Sequence, residues 1–322
     1  MRTMYMPLSN EPSVYTTEGV NPQSPQVLIV PLLGDFKPLK LLGSGGYGHI
    51  HLVQKKNGKD RGKLYAMKTM NTSQIFSANN GPERHNTECY IHQKVADHPF
   101  LVGMYYRFQT ELKVCLMLDY YPGGDMYHVL LEQGVFRESA ARLYLAEIVL
   151  GVEHLHQLGI IHRDLKPDNI LIDSEGHIAI TDFGLTKSFL SYTKKNRAYS
   201  WCGTPSYMAP EMIDSETGYG IEVDWWGVGL ICYEMLSGCS AFEPGDEKGF
   251  KKLFEQITSV SPVIPDWLSA EAGHFISSLL EKNPSERLGT GKNGSQNYIY
   301  IYIYMVIKTW SSSELFLVYV MH

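Results

Sequence analysis

The hydrophobic and polar positions of this chain separate a strand-rich first part from a helix-rich second part. In the first part, apolar residues alternate with polar ones in short runs joined by glycine-containing turns, which is the pattern of half-buried strands. Strands are predicted over residues 36–42, 50–53, 64–69, 101–108 and 114–118. One helix is predicted over residues 84–95, and it ends before Pro99 because the residue before a proline disfavours helical backbone. The pattern breaks at residues 119–125, where a small β-rich unit is expected to end.

The second part carries longer apolar patterns with the spacing of α-helices. Residues 139–158 have apolar positions three and four apart, which predicts an amphipathic helix. Its buried face is expected to comprise Leu143, Ala146, Ile148, Val149, Val152 and Leu155. Residues 223–236 predict a buried helix, in which Asp224 must find backbone partners because an unpaired buried carboxylate is costly. Further helices are predicted over residues 250–257 and 270–280.

A polar loop interrupts the apolar runs 159–161 and 170–172 and is followed by the turn 182–184. Its charged and amide side chains are Arg163, Asp164, Lys166, Asp168 and Asn169. One interpretation is a solvated loop between two buried strands. The other is a loop that orients a hydroxyl nucleophile and holds a divalent metal on a phosphate. Phosphoryl transfer requires mainly alignment and positive charge around a developing anion, which these residue types can supply.

A glycine-rich turn, residues 43–48, stands between the first two predicted strands. Glycines allow backbone amides to approach phosphate oxygens, although hairpins and dinucleotide-binding folds use the same spacing. A strand follows this turn, which disfavours the dinucleotide-binding fold. Lys68 lies in an otherwise apolar strand and either extends to the surface or binds phosphate. Glu88, on the predicted helix, is either a surface carboxylate or the partner that holds Lys68.

Composition and charge narrow the classes of protein that fit. The 322 residues are 44% hydrophobic and 19% charged, as in globular proteins, and the net charge is −6. The absence of a dense basic run argues against nucleic-acid binding, and an acidic balance favours a basic peptide partner. The five cysteines have no C-x-x-C spacing and indicate reduced thiols. No signal peptide and no membrane span are predicted, so a cytoplasmic or nuclear protein is expected.

Three later motifs complete the pattern: residues 203–211 with Gly-Thr-Pro and Ala-Pro-Glu, the double tryptophan after Asp224, and residues 283–289. With the glycine turn, Lys68 and the polar loop, they resemble the eukaryotic serine/threonine protein kinases of the AGC group. Thr110, residues 123–125 and residues 197–204 are most similar to the N-terminal kinase domain of the mitogen- and stress-activated protein kinases.

The resemblance implies an α+β, bilobal protein-kinase fold. Its N-lobe is small and β-rich with one main helix, and its C-lobe is larger and mainly helical. The expected organisation is an irregular leader over residues 1–34, a kinase domain over 35–289 and an aberrant or truncated tail over 290–322. Within the kinase domain, the N-lobe spans 35–118, the hinge 119–125 and the C-lobe 126–289.

The resemblance also implies a role for individual residues in a transferase that uses ATP and Mg²⁺. The implied catalytic residues are Asp164 for the substrate hydroxyl, Lys166 for the γ-phosphoryl group and Asn169. Asn169 and Asp182 would bind metal, and Lys68, held by Glu88, would orient the α- and β-phosphates. The implied ATP-binding positions are Leu42, Gly43, Ser44, Gly45, Gly46, Tyr47, Gly48, His49, Ile50, Ala66, Lys68, Glu88, Asp119 and Tyr121.

Regulation and substrate choice follow from the same resemblance. Ser200 is expected to be phosphorylated by an upstream kinase, with Arg163 and Arg84 as the phosphate clamp; the alternative is a plain polar loop residue. Asp125, Asp168, Thr204 and Glu234 would contact substrate, and the three acids would favour arginine before the target serine or threonine. A monomeric phosphoprotein in signal transduction is expected, with basic protein substrates and no nucleic-acid or membrane partner.

The final segment does not follow the kinase pattern. Residues 297–304 alternate strictly between tyrosine and isoleucine after the initial asparagine, which suits an edge strand. A repeated TA dinucleotide read in frame would give the same alternation, and intron read-through or a truncated gene model is the preferred interpretation. AGC kinases normally carry an aromatic C-terminal motif that residues 316–319 do not match. The alternative function is therefore a catalytically weak or pseudokinase-like binding module.

Overall fold

A computed structural model describes residues 32–45, 48–77, 81–189, 197–242 and 250–290. The chain divides after Pro122 into two compact units. The first is β-rich with one main helix, and the second is mainly helical. These contents confirm the predicted α+β class of the protein-kinase fold.

The first unit is built on a five-stranded antiparallel sheet with the order β1-β2-β3-β5-β4. Its strands are β1 Phe36–Gly45, β2 Gly48–Lys55, β3 Leu64–Asn71, β4 Met104–Gln109 and β5 Lys113–Leu118. Its helices are α1 Thr72–Ser77, which was not predicted, and α2 Gly81–Lys94. The predicted strands are present with shifted ends, and β1 continues into the glycine-rich turn.

The two faces of this sheet differ in character because successive side chains of a strand point to opposite sides. One face is covered by a buried cluster made by Phe36, Val53, Tyr65, Phe108, Cys115 and Met117. Along β3, Ala66 and Lys68 alternate with Tyr65 and Met67, which pack on the cluster side. Ala66 and Lys68 therefore point to the other face. Ile50 pairs directly with Lys68 and shares that face. Strand alternation thus separates the structural core from the positions that the sequence assigned to nucleotide binding.

The second unit is organised around the buried helix α6 Glu222–Ser237, against which α4 Glu138–Gln157 and α8 Ala270–Leu279 pack. The remaining helices are α3 Met126–Gln133, α5 Pro210–Ile213 and α7 Lys251–Ser259. Short strand pairs join β6 Ile160–Ile161 with β9 Lys187–Ser188 and β7 Ile170–Ile172 with β8 Ile178–Ile180. Within the described ranges, no helix is long and apolar enough to cross a membrane.

The predicted buried face of α4 was wrong at Leu143, and Ala146 is only half-buried. Leu143 is 36% exposed, whereas Leu145 is 6% exposed and packs in the core. Ile148, Val149, Val152 and Leu155 are fully buried, as expected. With a rotation of about 100° per residue, position 143 points away from the stripe that contains 145, 148, 149 and 152. The helix period therefore places Leu145 inside and Leu143 towards solvent.

A buried ion pair connects the last described turn to α5. The guanidinium of Arg287 donates to both carboxylate oxygens of Glu211 at 2.5 and 2.9 Å, and to the carbonyl oxygen of Glu222 at 2.8 Å. Arg287 is 1% exposed, and its Nε also donates to the carbonyl oxygen of Glu281 at 2.9 Å, so its buried charge is paired and hydrogen-bonded. This bidentate contact holds the motif around residues 209–211 against the start of α6.

Candidate active site

The polar loop is held in shape by Asp224, a fully buried carboxylate on α6. Its oxygens accept the backbone N–H groups of His162 at 2.9 Å and Arg163 at 2.8 Å. The ring of His156 lies 2.8 Å away, and although burial opposes ionisation, these hydrogen bonds hold the pKa of Asp224 below its usual value. The expectation that Asp224 finds backbone partners is confirmed. Arg163 has a φ of +70°, an unfavourable conformation that the two amide contacts stabilise.

Asp164 stands at the centre of a hydrogen-bonded cluster. Its Oδ1 accepts from the backbone N–H and the hydroxyl of Thr204, at 2.9 and 2.8 Å. Lys166 Nζ donates to the Thr204 hydroxyl at 2.8 Å and lies 3.4 Å from Asp164 Oδ2. The Asn169 side chain donates to the Asp164 carbonyl oxygen at 2.8 Å. The sequence-predicted Lys166, Asn169 and Thr204 therefore all contact Asp164, whose Oδ2 has the longer contacts, at 3.4 Å to Lys166 Nζ and to Asn169 Nδ2.

Asn169 and Asp182 lie at matching ends of the β7–β8 hairpin. Ile170 pairs with Ile180, and the N–H of Thr181 donates to the carbonyl oxygen of Asn169 at 2.9 Å. Asp182 is exposed and has a left-handed φ of +62°, and its carboxylate accepts the N–H of Gly184 at 3.4 Å.

A carboxylate and an amide oxygen fit a magnesium ion. Asn169 commits its NH₂ group to Asp164, which leaves its side-chain oxygen as the remaining ligand atom. Among the described residues, no group of three or more histidine, cysteine, aspartate or glutamate side chains could hold a metal. Mg²⁺ is commonly held by one or two protein oxygens together with water and substrate phosphates, so this small donor set suits it.

In the first unit, Lys68 and Glu88 form a close ion pair with a distance of 2.6 Å between Nζ and Oε1. Glu88 is buried on α2, while Lys68 on β3 remains partly accessible. Leu42 and Ile50 are exposed apolar side chains, at 36% and 37%, and Ala66 is half-buried. An exposed apolar surface beside a held ammonium group suits an aromatic base that carries phosphates.

The glycines of the turn differ in the space around the position of a missing Cβ atom. A Cβ at Gly43 or Gly45 would meet nothing within 4 Å, so their backbone stays open to a ligand. Gly48 has a φ of +148°, and a Cβ there would overlap the carbonyl group of Thr69. Gly48 is thus required by its pairing with β3 whether or not a ligand binds. Gly46 and Tyr47 lie outside the described residues.

The remaining predicted nucleotide positions occupy the same unit without a common cluster. The side chains of Ser44 and His49 contact each other at 3.1 Å across the β1–β2 turn. Asp119 pairs with Gly103 through backbone and carboxylate, at 3.2 and 3.1 Å. Tyr121 is half-buried.

Arg163 connects the polar loop to Ser200. Its guanidinium donates to the Ser200 hydroxyl at 2.7 Å and to the carbonyl oxygens of Leu185 and Thr186 at 2.6 and 3.3 Å. Ser200 is exposed, and its carbonyl oxygen accepts from the Tyr219 hydroxyl at 2.5 Å. An added phosphate on Ser200 would therefore meet a guanidinium that is already positioned. Arg84, the second predicted clamp residue, is exposed on α2 in the first unit.

The three predicted substrate acids belong to the second unit and have different environments. Asp125 caps α3 by accepting the N–H of His128 at 2.9 Å, and it also contacts the His128 ring. Asp168 is exposed. Burial, together with the smaller effect of the Asp168 charge, raises the pKa of Glu234 to about 7, against the hydrogen bond from the Tyr207 hydroxyl at 2.7 Å. The charge of Asp168 also raises the pKa of His128, after the larger effect of Asp125. The charge of Asp168 thus affects both Glu234 and His128.

Two histidines of the site were missed by sequence reasoning. His162 is fully buried, with Nε2 3.0 Å from the Thr181 carbonyl oxygen and Nδ1 3.3 Å from the Asp164 N–H. It therefore connects the loop to the β8 end. His156 pairs with Asp224 from α4. In the sequence, these histidines were indicated by their positions alone. His162 stands beside Arg163 between apolar runs, and His156 lies near the end of the helix predicted over residues 139–158.

Comparison with known proteins agrees with this geometry. The model of the protein kinase domain family matches residues 36–299, and the chain belongs to that family. Kinases of this family use ATP with Mg²⁺. The resemblance to serine/threonine kinases of the AGC group is confirmed.

The similar proteins include S6 kinases and a plant kinase. Ribosomal protein S6 kinase alpha-4 from Homo sapiens is 45% identical over 263 residues, 81% of this chain and 34% of that protein. Ribosomal protein S6 kinase alpha-2 from Homo sapiens is 44% identical over 259 residues, 80% of this chain and 34% of that protein. Serine/threonine-protein kinase AtPK2/AtPK19 from Arabidopsis thaliana is 44% identical over 262 residues, which are 81% of this chain and 53% of that protein. The chain thus spans about a third of the two S6 kinases and about half of the plant kinase.

Proposed function

We propose that this chain transfers the γ-phosphoryl group of ATP to serine and threonine hydroxyls of protein substrates. The observation that carries the proposal is the cluster of Asp164, Lys166, Asn169 and Thr204, which supplies an acceptor, a cation and an amide oxygen within one loop. The family match over residues 36–299 supports the same reaction.

The reaction assigns one task to each group. Asp164, through Oδ2, would orient the substrate hydroxyl and accept its proton as a new bond forms from that oxygen to the γ-phosphorus. The bond from the γ-phosphorus to the ADP oxygen breaks, and ADP leaves. Lys166 would neutralise charge on the transferred group, and Lys68, held by Glu88, would orient the α- and β-phosphates. Asp182 and Asn169 would hold Mg²⁺, which supplies charge neutralisation at the phosphate oxygens.

The nucleotide base has a proposed place in the first unit. Leu42, Ile50 and Ala66 would sandwich the adenine, and the backbone of Asp119 and Tyr121 would bind its edge. Gly43 and Gly45 would cover the phosphates through their open backbone. Gly46, Tyr47 and His49 would complete this cover.

The proposal is tested by incubating the purified chain with γ-labelled ATP, Mg²⁺ and a serine peptide with upstream arginine. We expect label in the peptide, and no label when Mg²⁺ is chelated. ATP binding without transfer, measured by calorimetry, would favour the pseudokinase-like module. Neither binding nor transfer would contradict both functions.

Activation by phosphorylation at Ser200 leads to a mutational prediction. Ser200→Ala should lower kcat by about tenfold or more, because a phosphate on Ser200 adds charge-assisted hydrogen bonds to Arg163. The assay compares peptide phosphorylation after treatment of both chains with an upstream activating kinase. Ser174→Ala, at an exposed turn, serves as the control and should leave kcat unchanged. Full activity in Ser200→Ala would remove the role of this residue.

Selection of upstream arginine is proposed from the acids Asp125, Asp168 and Glu234. Thr204 would contact the substrate backbone near the target hydroxyl. A peptide array should show enrichment of arginine before the phosphorylated residue. An array without that enrichment would contradict the assignment.

The raised pKa of Glu234 makes arginine recognition dependent on pH. The ionised carboxylate binds guanidinium, and ionisation increases as pH rises through about 7. The KM for an arginine peptide should therefore fall about fivefold between about pH 6 and about pH 8. Glu234→Gln keeps an acceptor for Tyr207 but should flatten this dependence, as should a peptide without arginine. An unchanged slope in Glu234→Gln would exclude Glu234 as its source.

The partners follow from this activity. We propose that the chain acts on basic protein substrates and is activated by an upstream kinase. We also propose that it is a monomer and is located in the cytoplasm or nucleus. The tail, residues 290–322, includes the Tyr-Ile repeat, and residues 291–322 lie outside the described residues. Transcript sequencing across the codons for residues 295–304 tests whether this repeat is genuine.

A further inference from the structure

Glu88 has a second nitrogen neighbour besides Lys68. His92 lies one helical turn later on α2 and is 1% exposed. Its Nε2 is 3.9 Å from Oε1 of Glu88, the same oxygen that contacts Lys68 Nζ at 2.6 Å. The two basic side chains therefore approach one carboxylate oxygen from β3 and from α2.

The other ring nitrogen of His92 fixes what Nε2 can do. Nδ1 is 2.7 Å from the carbonyl oxygen of Val102, which only accepts, so Nδ1 carries the proton and donates. In the neutral ring, Nε2 then presents a lone pair towards Glu88, which is repulsive. In the imidazolium ion it presents an N–H⁺, which is attractive. Protonation of His92 thus reverses the sign of its interaction with Glu88.

The surrounding charges leave His92 distinct from its neighbour His85. Arg107 Nη2 lies 3.3 Å from His85 Nε2 and donates to it, and Cys89 Sγ lies 3.5 Å from the same nitrogen. Burial lowers the pKa of His85, and Arg107 and Lys68 lower it further against the opposing effect of Glu88. His85 is therefore neutral beside Arg107. Among the described contacts of His92 within this unit, the charged one is with Glu88, whose Oε1 also contacts Lys68.

We propose that His92 is a positioning residue for Glu88, and that its protonated ring braces the carboxylate that holds Lys68. This inference rests on the proposed kinase activity, because Lys68 acts there on the ATP phosphates. In the neutral state of His92, this brace on Glu88 is lost, and the contact between Glu88 and Lys68 is looser. The strength of the brace therefore depends on whether the ring of His92 is protonated.

Two variants separate the brace from simple packing. His92→Asn can keep the donor to Val102 through its NH₂ group but has no atom in place of Nε2, whereas His92→Leu fills the site without either group. The kcat/KM for ATP is measured for each chain at about pH 6 and about pH 8. The kcat/KM of wild type divided by that of His92→Asn should be about two- to fivefold larger at the lower pH. This is the effect expected from a screened charge pair. The KM for peptide should not show this pH dependence. For the control His85→Gln, the kcat/KM of wild type divided by that of the variant should be the same at both pH values.

A pH-independent ratio for both His92 variants would overturn the proposal. Absence of transfer by wild type at either pH would contradict the kinase activity instead, and the brace is then decided by NMR. The ¹⁵N resonance of His92 Nε2 should titrate, and Glu88→Gln should move that titration to lower pH because the attracting carboxylate is gone. An identical titration in Glu88→Gln would overturn the proposal without any measurement of activity.

Discussion

Asp164→Asn should reduce kcat for peptide phosphorylation by about 10²- to 10⁴-fold, the usual contribution of a positioned proton acceptor. The substitution retains the shape of the side chain and one oxygen for the Thr204 contacts. It replaces the basic Oδ2, next to Lys166, with an NH₂ group that cannot take a proton. The KM for ATP should change little, because Asp164 is not assigned to nucleotide binding. Initial rates with saturating peptide measure the effect.

The matched control for this variant is Asp266→Asn, which removes an exposed carboxylate of the second unit. It should retain the wild-type kcat. Circular dichroism and thermal unfolding should be the same for all three chains. A fully active Asp164→Asn chain would show that this carboxylate does not serve the substrate hydroxyl.

Asp224→Ala should lower the free energy of unfolding by about 3–5 kcal/mol, the range for removing one partner of a buried charge pair. The backbone N–H groups of His162 and Arg163 lose their acceptor, and His156 loses its carboxylate partner. The φ of +70° at Arg163 also loses its support, so transfer should fall together with stability. Urea unfolding followed by circular dichroism measures the change.

Asp224→Asn separates charge from shape at the same position. It retains one acceptor oxygen and should recover part of the stability, while one amide of the loop remains without its acceptor. Asp266→Ala serves as the surface control and should lie within about 0.5 kcal/mol of wild type. An Asp224→Ala chain as stable as that control would show that the loop does not depend on this carboxylate.

The fold followed from hydrophobic spacing wherever one face of an element is buried. Alternation along β3 correctly separates Tyr65, which is in the core, from Lys68, which is on the opposite face. The error at Leu143 arose because the predicted face was too wide: leucines occur on both sides of α4, and the stripe of positions 145, 148, 149 and 152 excludes position 143. Helix α6 packs against α4, and Leu145 on this stripe is buried.

The site was predictable in its members and not in its supports. The order of the motifs identified Asp164, Lys166 and Asn169, which the structure brings into contact. The support of the loop comes from Asp224, about sixty residues later, through backbone amides that carry no side-chain signal. For Asp224, burial in an apolar helix predicted the need for backbone partners but not which amides would meet it. Such long-range pairing is a property of the packed helices and cannot be read from local spacing.

Gly48 illustrates how one motif can have two physical causes. The glycine spacing indicated a phosphate-binding turn, and the open backbone of Gly43 and Gly45 is compatible with that use. Gly48 is required for a different reason, its close approach to Thr69 in the sheet. A substitution at Gly48 therefore tests the sheet before it tests nucleotide binding.

The most direct test of phosphoryl transfer at this site maps the product formed by a chain that carries phosphoserine at position 200. This chain is incubated with Mg²⁺-ATP and two peptides that share an upstream arginine and differ only by serine or alanine at the target position. Mass spectrometry should find phosphoserine in the first peptide and no modification in the second. If the serine peptide stays unmodified while the phosphorylated chain is folded and binds ATP, the assignment of this site to phosphoryl transfer is wrong.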